Sequence, residues 1–217
     1  MKKLFKYLLV LSITSIILLT SCTQNSNTGN APDWDNIPVR YSHASWGFNV
    51  YDPELVVGDS DYVFIGYVEG YVETTARNET MVETHYMVNN VRNIKGNLML
   101  GSLPVSREGG VRTLDGETFL QLFEGESLPE IGHYYVFLVR VTEDGDLHAP
   151  APTSTIRLDG FDSSARNAEE ELEEHEVFQL YVEAYENERF WWEEEEEGMV
   201  QPPERHTTPY DVNYTGE

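Results

Sequence analysis

The chain is short of cysteine, of lysine and of positive charge generally. It has 217 residues and one cysteine, so it holds no internal disulfide and no multi-cysteine zinc site. Lysine and arginine number 14 against 38 aspartates and glutamates, a formal net charge of -24. So acidic a protein is repelled by nucleic acid and by anionic lipid surfaces, because phosphate binding needs clustered Lys and Arg. Three catalytic signatures are missing as well: no HExxH helix, no Gly-x-Ser-x-Gly elbow and no glycine-rich phosphate loop. What is present is a 40% apolar and 12% aromatic composition, too rich for a wholly disordered chain. The length fits one domain with appendages.

The few lysines are unevenly placed. Lys2, Lys3 and Lys6 precede an uncharged, mostly apolar stretch from Tyr7 to Leu19. That stretch is shorter than the roughly 20 residues a spanning helix needs, and small residues follow it, the pattern of a secretory signal. Leu19-Thr20-Ser21-Cys22 then resembles the lipobox of bacterial lipoproteins. In that family the cysteine is diacylated and the chain is cut before it, so residues 1–21 are expected to be a signal peptide. Cys22 is the expected lipid attachment, and the partner is a membrane at the extracytoplasmic face. An ordinary signal peptide or an uncleaved anchor is the alternative. Cleavage would leave 11 basic residues, ten of them arginine, against 38 acidic ones, a charge of about -27. Carboxylate-rich surfaces of this kind resemble those of salt-loving or alkaline-adapted bacteria, where they keep the protein hydrated. A specific cationic partner is the other reading of the same composition.

Residues 22–40, rich in Asn, Gly, Pro and Ser, read as a flexible tether. A β-domain is expected over 41–160. Asp52-Pro53 starts a short helix, with Asp52 as N-cap and Pro53 in the first turn. Strands are predicted at Tyr62–Val68 continuing to Val72, Thr84–Ile94, Leu103–Arg107, Tyr134–Val141, Leu147–Ala149 and Ile156–Leu158. Asp144-Gly145 reads as a hairpin turn. Over 167–197 the period changes. Val177, Ala184 and Trp191 recur every seven residues, as do Phe178, Tyr185 and Trp192, which predicts one long amphipathic helix. Its other face carries 14 Glu and one Arg over 169–197. Like charges four apart weaken a helix, so the aromatic stripe is expected to dock on the domain's own sheet or on a partner. Residues 198–217 read as a mobile tail.

Three segments carry a family resemblance. Ser60-Asp61-Tyr62-Val63-Phe64-Ile65-Gly66-Tyr67-Val68 resembles an "SDxVxxGxV" opening strand. Residues Tyr86 to Gly96 resemble a "YxVxVxxxxKG" second strand, and Glu130 to Leu138 an "xxGxxYxxFL" late strand. Together they resemble uncharacterised secreted or lipid-anchored bacterial proteins. The domain of that family is similar to the OB-like barrel of netrin modules and tissue inhibitors of metalloproteinases. The resemblance covers roughly residues 54–160. It implies a mainly β fold: a small five-stranded antiparallel OB-like barrel, here with a short N-terminal helix and a long acidic C-terminal one. The inhibitors act through a disulfide-tethered N-terminal cysteine on zinc. This chain lacks that feature, so inhibition is not carried over.

No catalytic residue, metal ligand or cofactor is assigned from the sequence. His43, His85, His133, His148, His175 and His206 are scattered. Convergence of His85, His133 and His148 on a carboxylate would favour an envelope hydrolase or a metal-dependent enzyme. Glu171 and His175 stand one turn apart. Asp33-x-Asp35, Asp59-x-Asp61 and Asp144-x-Asp146 are acidic pairs without an EF-hand continuation. Trp46, Phe48, Trp191 and Trp192 are the aromatic candidates for a binding surface. The expectation is a non-enzymatic binding or interaction module at the cell envelope, with an envelope protein as candidate partner and no nucleic acid.

Overall fold

The computed structural model describes residues 33–150, 152–194 and 202–215. Leu19, Thr20, Ser21 and Cys22 lie outside them. Strands hold 40% of the chain and helices 17%, so the fold is mainly β. The larger sheet contains β2 (Tyr62–Ala76), β3 (Val82–Lys95), β4 (Gly101–Glu108), β7 (Tyr134–Val141), β8 (Leu147–Ala149) and β9 (Thr155–Arg157). Its order is β2-β3-β4-β8-β7-β9, and β2 also pairs with β7. Five strands therefore close into a ring, with β9 added outside it on β7. Neighbours in the ring are antiparallel except β4 and β8, which run parallel through Val105↔Leu147. The all-antiparallel expectation fails at that one pair.

The most readable strands are those buried on both faces. Phe64, Val68, Phe137 and Val139 face a core shared with Tyr86, Val88, Leu103 and Leu147. Val63, Ile65, Val136 and Leu138 face the other way, into a cluster with Leu172, Phe178, Tyr181 and Ala184. Double burial removes the usual apolar–polar alternation, so β2 and β7 read as continuous apolar runs. Ring closure leaves no room over Gly66: a Cβ there would stand 2.4 Å from Val88 Cγ1 and 2.9 Å from Phe137 Cδ2. The β2–β3 register also slips at four places, one of them between Ile65 and Gly66. Each slip adds the local bend a small ring needs.

A second sheet has the order β1-β6-β5, from β1 (Val39–Ser42), β5 (Gly110–Leu114) and β6 (Glu117–Phe123). It was not predicted as a sheet. Its β1 lies across the expected end of the tether, and the fold starts earlier still. Trp34 sets its ring edge-on to Tyr71 at 5.9 Å, and Ile37 packs with Leu120 and Leu122.

The C-terminal part differs most from expectation. In place of one helix over 167–197, the described residues form α2 (Ala168–Glu174), α3 (Glu176–Glu186) and α4 (Trp191–Glu194), after α1 (Pro53–Asp59) near the N-terminus. His175 breaks the first join. Its backbone is extended (ψ 124°), and its Nδ1 accepts the Val177 amide at 3.3 Å, capping α3. Phe178, Tyr181 and Ala184 on α3 dock on the sheet. After Asn187 the chain leaves the helical path because α1 holds it. The Arg189 amide donates to Glu54 O at 3.2 Å, and its guanidinium pairs with Asp52 and Glu54. Those carboxylates sit at the N-terminal end of α1, where Asp52 also caps the Glu54 amide at 3.1 Å. The expected mobile tail is likewise packed where described. Asp211 bridges to Leu98, the Met99 amide donates to Tyr210 O at 2.8 Å, and Thr208 is wholly buried.

Candidate functional site

Several charged and aromatic side chains meet where α1 runs into β2. Asp59 closes α1 and is 7% exposed despite its charge. Burial of a carboxylate requires partners, and the Asp59 carboxylate has two, with a third residue on its backbone oxygen. Its Oδ1 accepts from the Arg140 Nη2 of β7 and from Trp191 Nε1 at 2.9 Å. Its backbone oxygen accepts from Arg140 Nε at 3.3 Å and from Arg205 Nη1 at 3.1 Å. Asp61, two residues on, accepts Arg205 Nη1 at 2.6 Å and the Val141 amide at 2.8 Å. The pair Asp59-x-Asp61 is thus not a solvated acidic turn. It is a clasp joining α1, β7, α4 and the C-terminal segment.

On one side of this clasp lies an apolar cavity of about 230 Å³. Trp46, Phe48, Val50 and Trp191 line it together with Val56, Leu138, Pro152 and Ser154, and so do Asp59 and Arg140. Phe48 stacks on Trp191 with centroids 5.7 Å apart and planes 8° from parallel. Of the four aromatic candidates, the structure therefore gathers Trp46, Phe48 and Trp191 around one space. Trp192 stands behind them, edge-on to Trp191 at 5.7 Å and under the Arg205 guanidinium at 5.5 Å. Ser154 is fully buried, and its Oγ has no hydrogen-bond partner among the described residues. On the other side of Arg140 and Pro150, which both cavities share, lies a more open and polar cavity of about 470 Å³. It is lined by Arg77, His148, Glu143, Asp144 and Arg205 among others.

Two of the three histidines flagged from sequence do converge. Glu83 Oε1 lies 3.3 Å from His85 Nε2, and its Oε2 lies 3.5 Å from His148 Nδ1. His133 is elsewhere, against Arg157 at 3.0 Å. His148 is 3% exposed and also sits 2.8 Å from Ser106 Oγ. Its Nε2, however, faces Arg77 Nη1. A guanidinium only donates, so Nε2 accepts and Nδ1 carries the ring proton. Nδ1–H then donates toward Ser106, which makes Ser106 an acceptor and not an activated nucleophile. Burial, followed by the Arg77 charge, lowers the His148 pKa to about 3, so the ring is neutral. The hydrogen bond that His85 donates to Glu83 raises the His85 pKa instead, and the same bond lowers that of Glu83. The trio is an internally compensated structural network.

Among the described residues no group of three or more His, Cys, Asp or Glu converges in a way that could hold a metal ion. His175, paired with Glu171 in the sequence reading, spends its Nδ1 on the α3 cap and sets its Nε2 3.2 Å from Asp159 O. No described helix is long and apolar enough to cross a membrane. Sequence reasoning missed Asp59, Arg140, Ser154 and Arg205 as site residues. Only Asp59 carried a signal, as half of an acidic pair next to the resemblance motif. No family model matches the chain, and no curated protein matches it.

Proposed function

We propose that the protein is a lipid-anchored component of the bacterial cell envelope that acts as a non-enzymatic binding module. In this reading Cys22 is the acylated residue, after removal of residues 1–21. Residues from about 22 to the start of the fold lift the domain from the extracytoplasmic face. The ring of five strands is read as an OB-like barrel of the netrin-module kind. Two supports for that are closure through the β2–β7 pairing and the number of strands in the ring. Fold analogy does not give function.

The single observation that carries the binding reading is the cavity lined by Trp46, Phe48 and Trp191 together with the Asp59–Arg140 ion pair. Apolar cavities with a few polar groups at one end are the usual form of a ligand site. The alternative, an envelope hydrolase or metal-dependent enzyme on the scattered histidines, has His85 and His148 beside Glu83 but His133 apart from them, and the proton assignment at His148 argues against Ser106 as a nucleophile.

Two experiments test the proposal. Cys22→Ser should move the protein from the detergent phase to the aqueous phase; unchanged partitioning defeats the anchor. A photo-crosslinking residue at position 46 should give an adduct in intact cells that the same residue at Leu180, exposed on α3, does not give. Absence of any adduct of any mass defeats the binding module.

A further inference from the structure

The polar cavity beyond Arg140 gathers positive charge that is scarce in this chain. Three of the ten arginines, Arg77, Arg140 and Arg205, line its space of about 470 Å³. They arrive from the end of β2, from β7 and from the C-terminal segment. Arg140 Nε at 3.3 Å and Arg205 Nη1 at 3.1 Å both donate to Asp59 O, so these two nitrogens stand within the sum of those distances, about 6.4 Å, of one another.

Each guanidinium is only partly used. A guanidinium carries five N–H donors and no acceptor. Arg140 gives Nε and Nη2 to Asp59, and its Nη1 has no partner among the described residues. Arg77 spends Nη1 on Glu108 and His148, which leaves Nε and Nη2 without one there. Arg205 spends Nη1 and Nη2 on Gly58, Asp59 and Asp61, which leaves Nε. The three side chains are 38%, 39% and 36% exposed in that order, so a ligand can reach them.

The same space has acidic groups at its mouth. Glu143 and Asp144, in the turn between β7 and β8, and Glu204, next to Arg205, line the cavity and are exposed. None of these three carboxylates has an ion pair or a hydrogen bond among the described residues. The combination narrows the ligand. A plain anion is repelled by this rim and by a chain of net charge -24. A plain cation offers no acceptor to the open guanidinium donors. A molecule with both charges meets both sets of groups and enters with no net charge of its own. The volume lies in the range of small-molecule sites, about 300–1,000 Å³.

We propose that this polar cavity binds a small zwitterion, with its carboxylate on the open N–H groups of Arg77, Arg140 and Arg205 and its ammonium on Glu143, Asp144 and Glu204. A free amino acid and a short peptide share that chemistry. The site goes beyond the binding reading above, because it meets the aromatic cavity only at Arg140 and Pro150.

The test is titration calorimetry on the full chain at low salt, with alanine, dialanine and trialanine. At least one binds. Tightest binding by alanine identifies a free amino acid as the ligand, and tightest binding by a longer member identifies a peptide. The N-acetyl derivative of the tightest member lacks the ammonium and its C-terminal amide lacks the carboxylate. Each binds about 10-fold more weakly than the parent, the worth of a charge-assisted contact. The double variant Glu143→Gln/Asp144→Asn weakens the parent about 3–5-fold and leaves the N-acetyl derivative within about 2-fold. Arg77→Gln weakens the parent and the N-acetyl derivative and leaves the amide within about 2-fold.

No binding by any of the three overturns the proposal. So does an amide that binds as tightly as its parent, which makes the site a cation site at the acidic rim, or an N-acetyl derivative that does, which makes it a plain anion site. The double variant changes only exposed, unpaired groups, so it carries the test if Arg77→Gln fails to fold; unchanged affinity in it overturns the role of the rim. The crosslink from position 46 reads the aromatic cavity alone, so either site can fail without the other.

Discussion

Gly58→Ala is the sharpest probe of how the cavity wall is held. Gly58 lies in the last turn of α1, with a backbone that alanine can adopt. By helix propensity alone the change should stabilise the protein by up to about 1 kcal/mol. The surroundings reverse that sign. An added Cβ would stand 2.0 Å from Arg189 O and 2.9 Å from Arg189 C. Backbone cannot rotate away as a side chain can, so residues 189–191 must withdraw by about 1 Å to restore an ordinary contact. That shift breaks the bond from Trp191 Nε1 to Asp59, worth about 1.5–3 kcal/mol because its acceptor is charged. It also disturbs the Phe48–Trp191 stack, worth about 0.5–1.5 kcal/mol. Part of the loss is recovered by water because Trp191 is only half-buried, so the net destabilisation should be about 2 kcal/mol. For a chain of this size that lowers Tm by about 4–8 °C. Thermal unfolding and the Trp191 indole N–H resonance report the two effects separately. Gly47→Ala is the control, since a Cβ there meets nothing within 4 Å and should change stability by less than about 0.5 kcal/mol. The account is refuted if Gly58→Ala is as stable as wild type and the Trp191 resonance does not move.

Two further outcomes are expected. Glu126→Ala leaves the Arg107 guanidinium, 1% exposed, without its carboxylate, and should cost about 3–5 kcal/mol by denaturant unfolding. Arg107→Met combined with Glu126→Leu should recover more than half of it, and failure to recover would show that the charge pair was not the cause. Stability should also fall as pH drops below 6.5, because His148 is held neutral in the fold with a pKa of about 3 and takes up its proton on unfolding. The limiting slope is about 1.4 kcal/mol per pH unit, and His148→Gln should flatten it. His85 works with the opposite sign: its raised pKa contributes below its unfolded value and fades as pH rises through the folded one.

How much of this was legible depended on whether an element's environment is local. β2 and β7 could be read directly because both their faces are buried, which leaves an unbroken apolar run in the sequence. β1 could not: Val39, Arg40 and Tyr41 are all exposed, so no periodicity marks it. It is a strand because β6 pairs with it, a partner about eighty residues away. The acidic helix shows the same division. Of its stripe, Val177, Phe178 and Ala184 pack on the sheet, whereas Tyr185 stays exposed. The seven-residue period running on to Trp191 and Trp192 predicted a continuing helix. The chain instead turns at Asn187, because Arg189 finds Asp52 and Glu54 on α1.

That turn also explains why the candidate site was only half visible. Large aromatics are scarce enough in sequence to be nominated by type, so Trp46, Phe48, Trp191 and Trp192 could be named without a fold. What gives three of them a shared cavity is a charge relay that no spacing encodes. Arg189 anchors on α1, which brings Trp191 to Asp59. Arg140 reaches the same carboxylate from β7. Ser154 enters from the loop before β9, where a serine reads as an ordinary turn residue until its hydroxyl is found buried and unpaired. The glutamates that dominate the composition contribute little to this. The acidic side chains that organise the site are Asp52, Glu54, Asp59 and Asp61, four carboxylates matched to three arginines. The excess charge lies elsewhere, and α2 and α3 carry eight of the glutamates with no Lys or Arg among them. Removing several of those helix glutamates should therefore leave the cavity intact, whereas loss of Asp59 alone should open it.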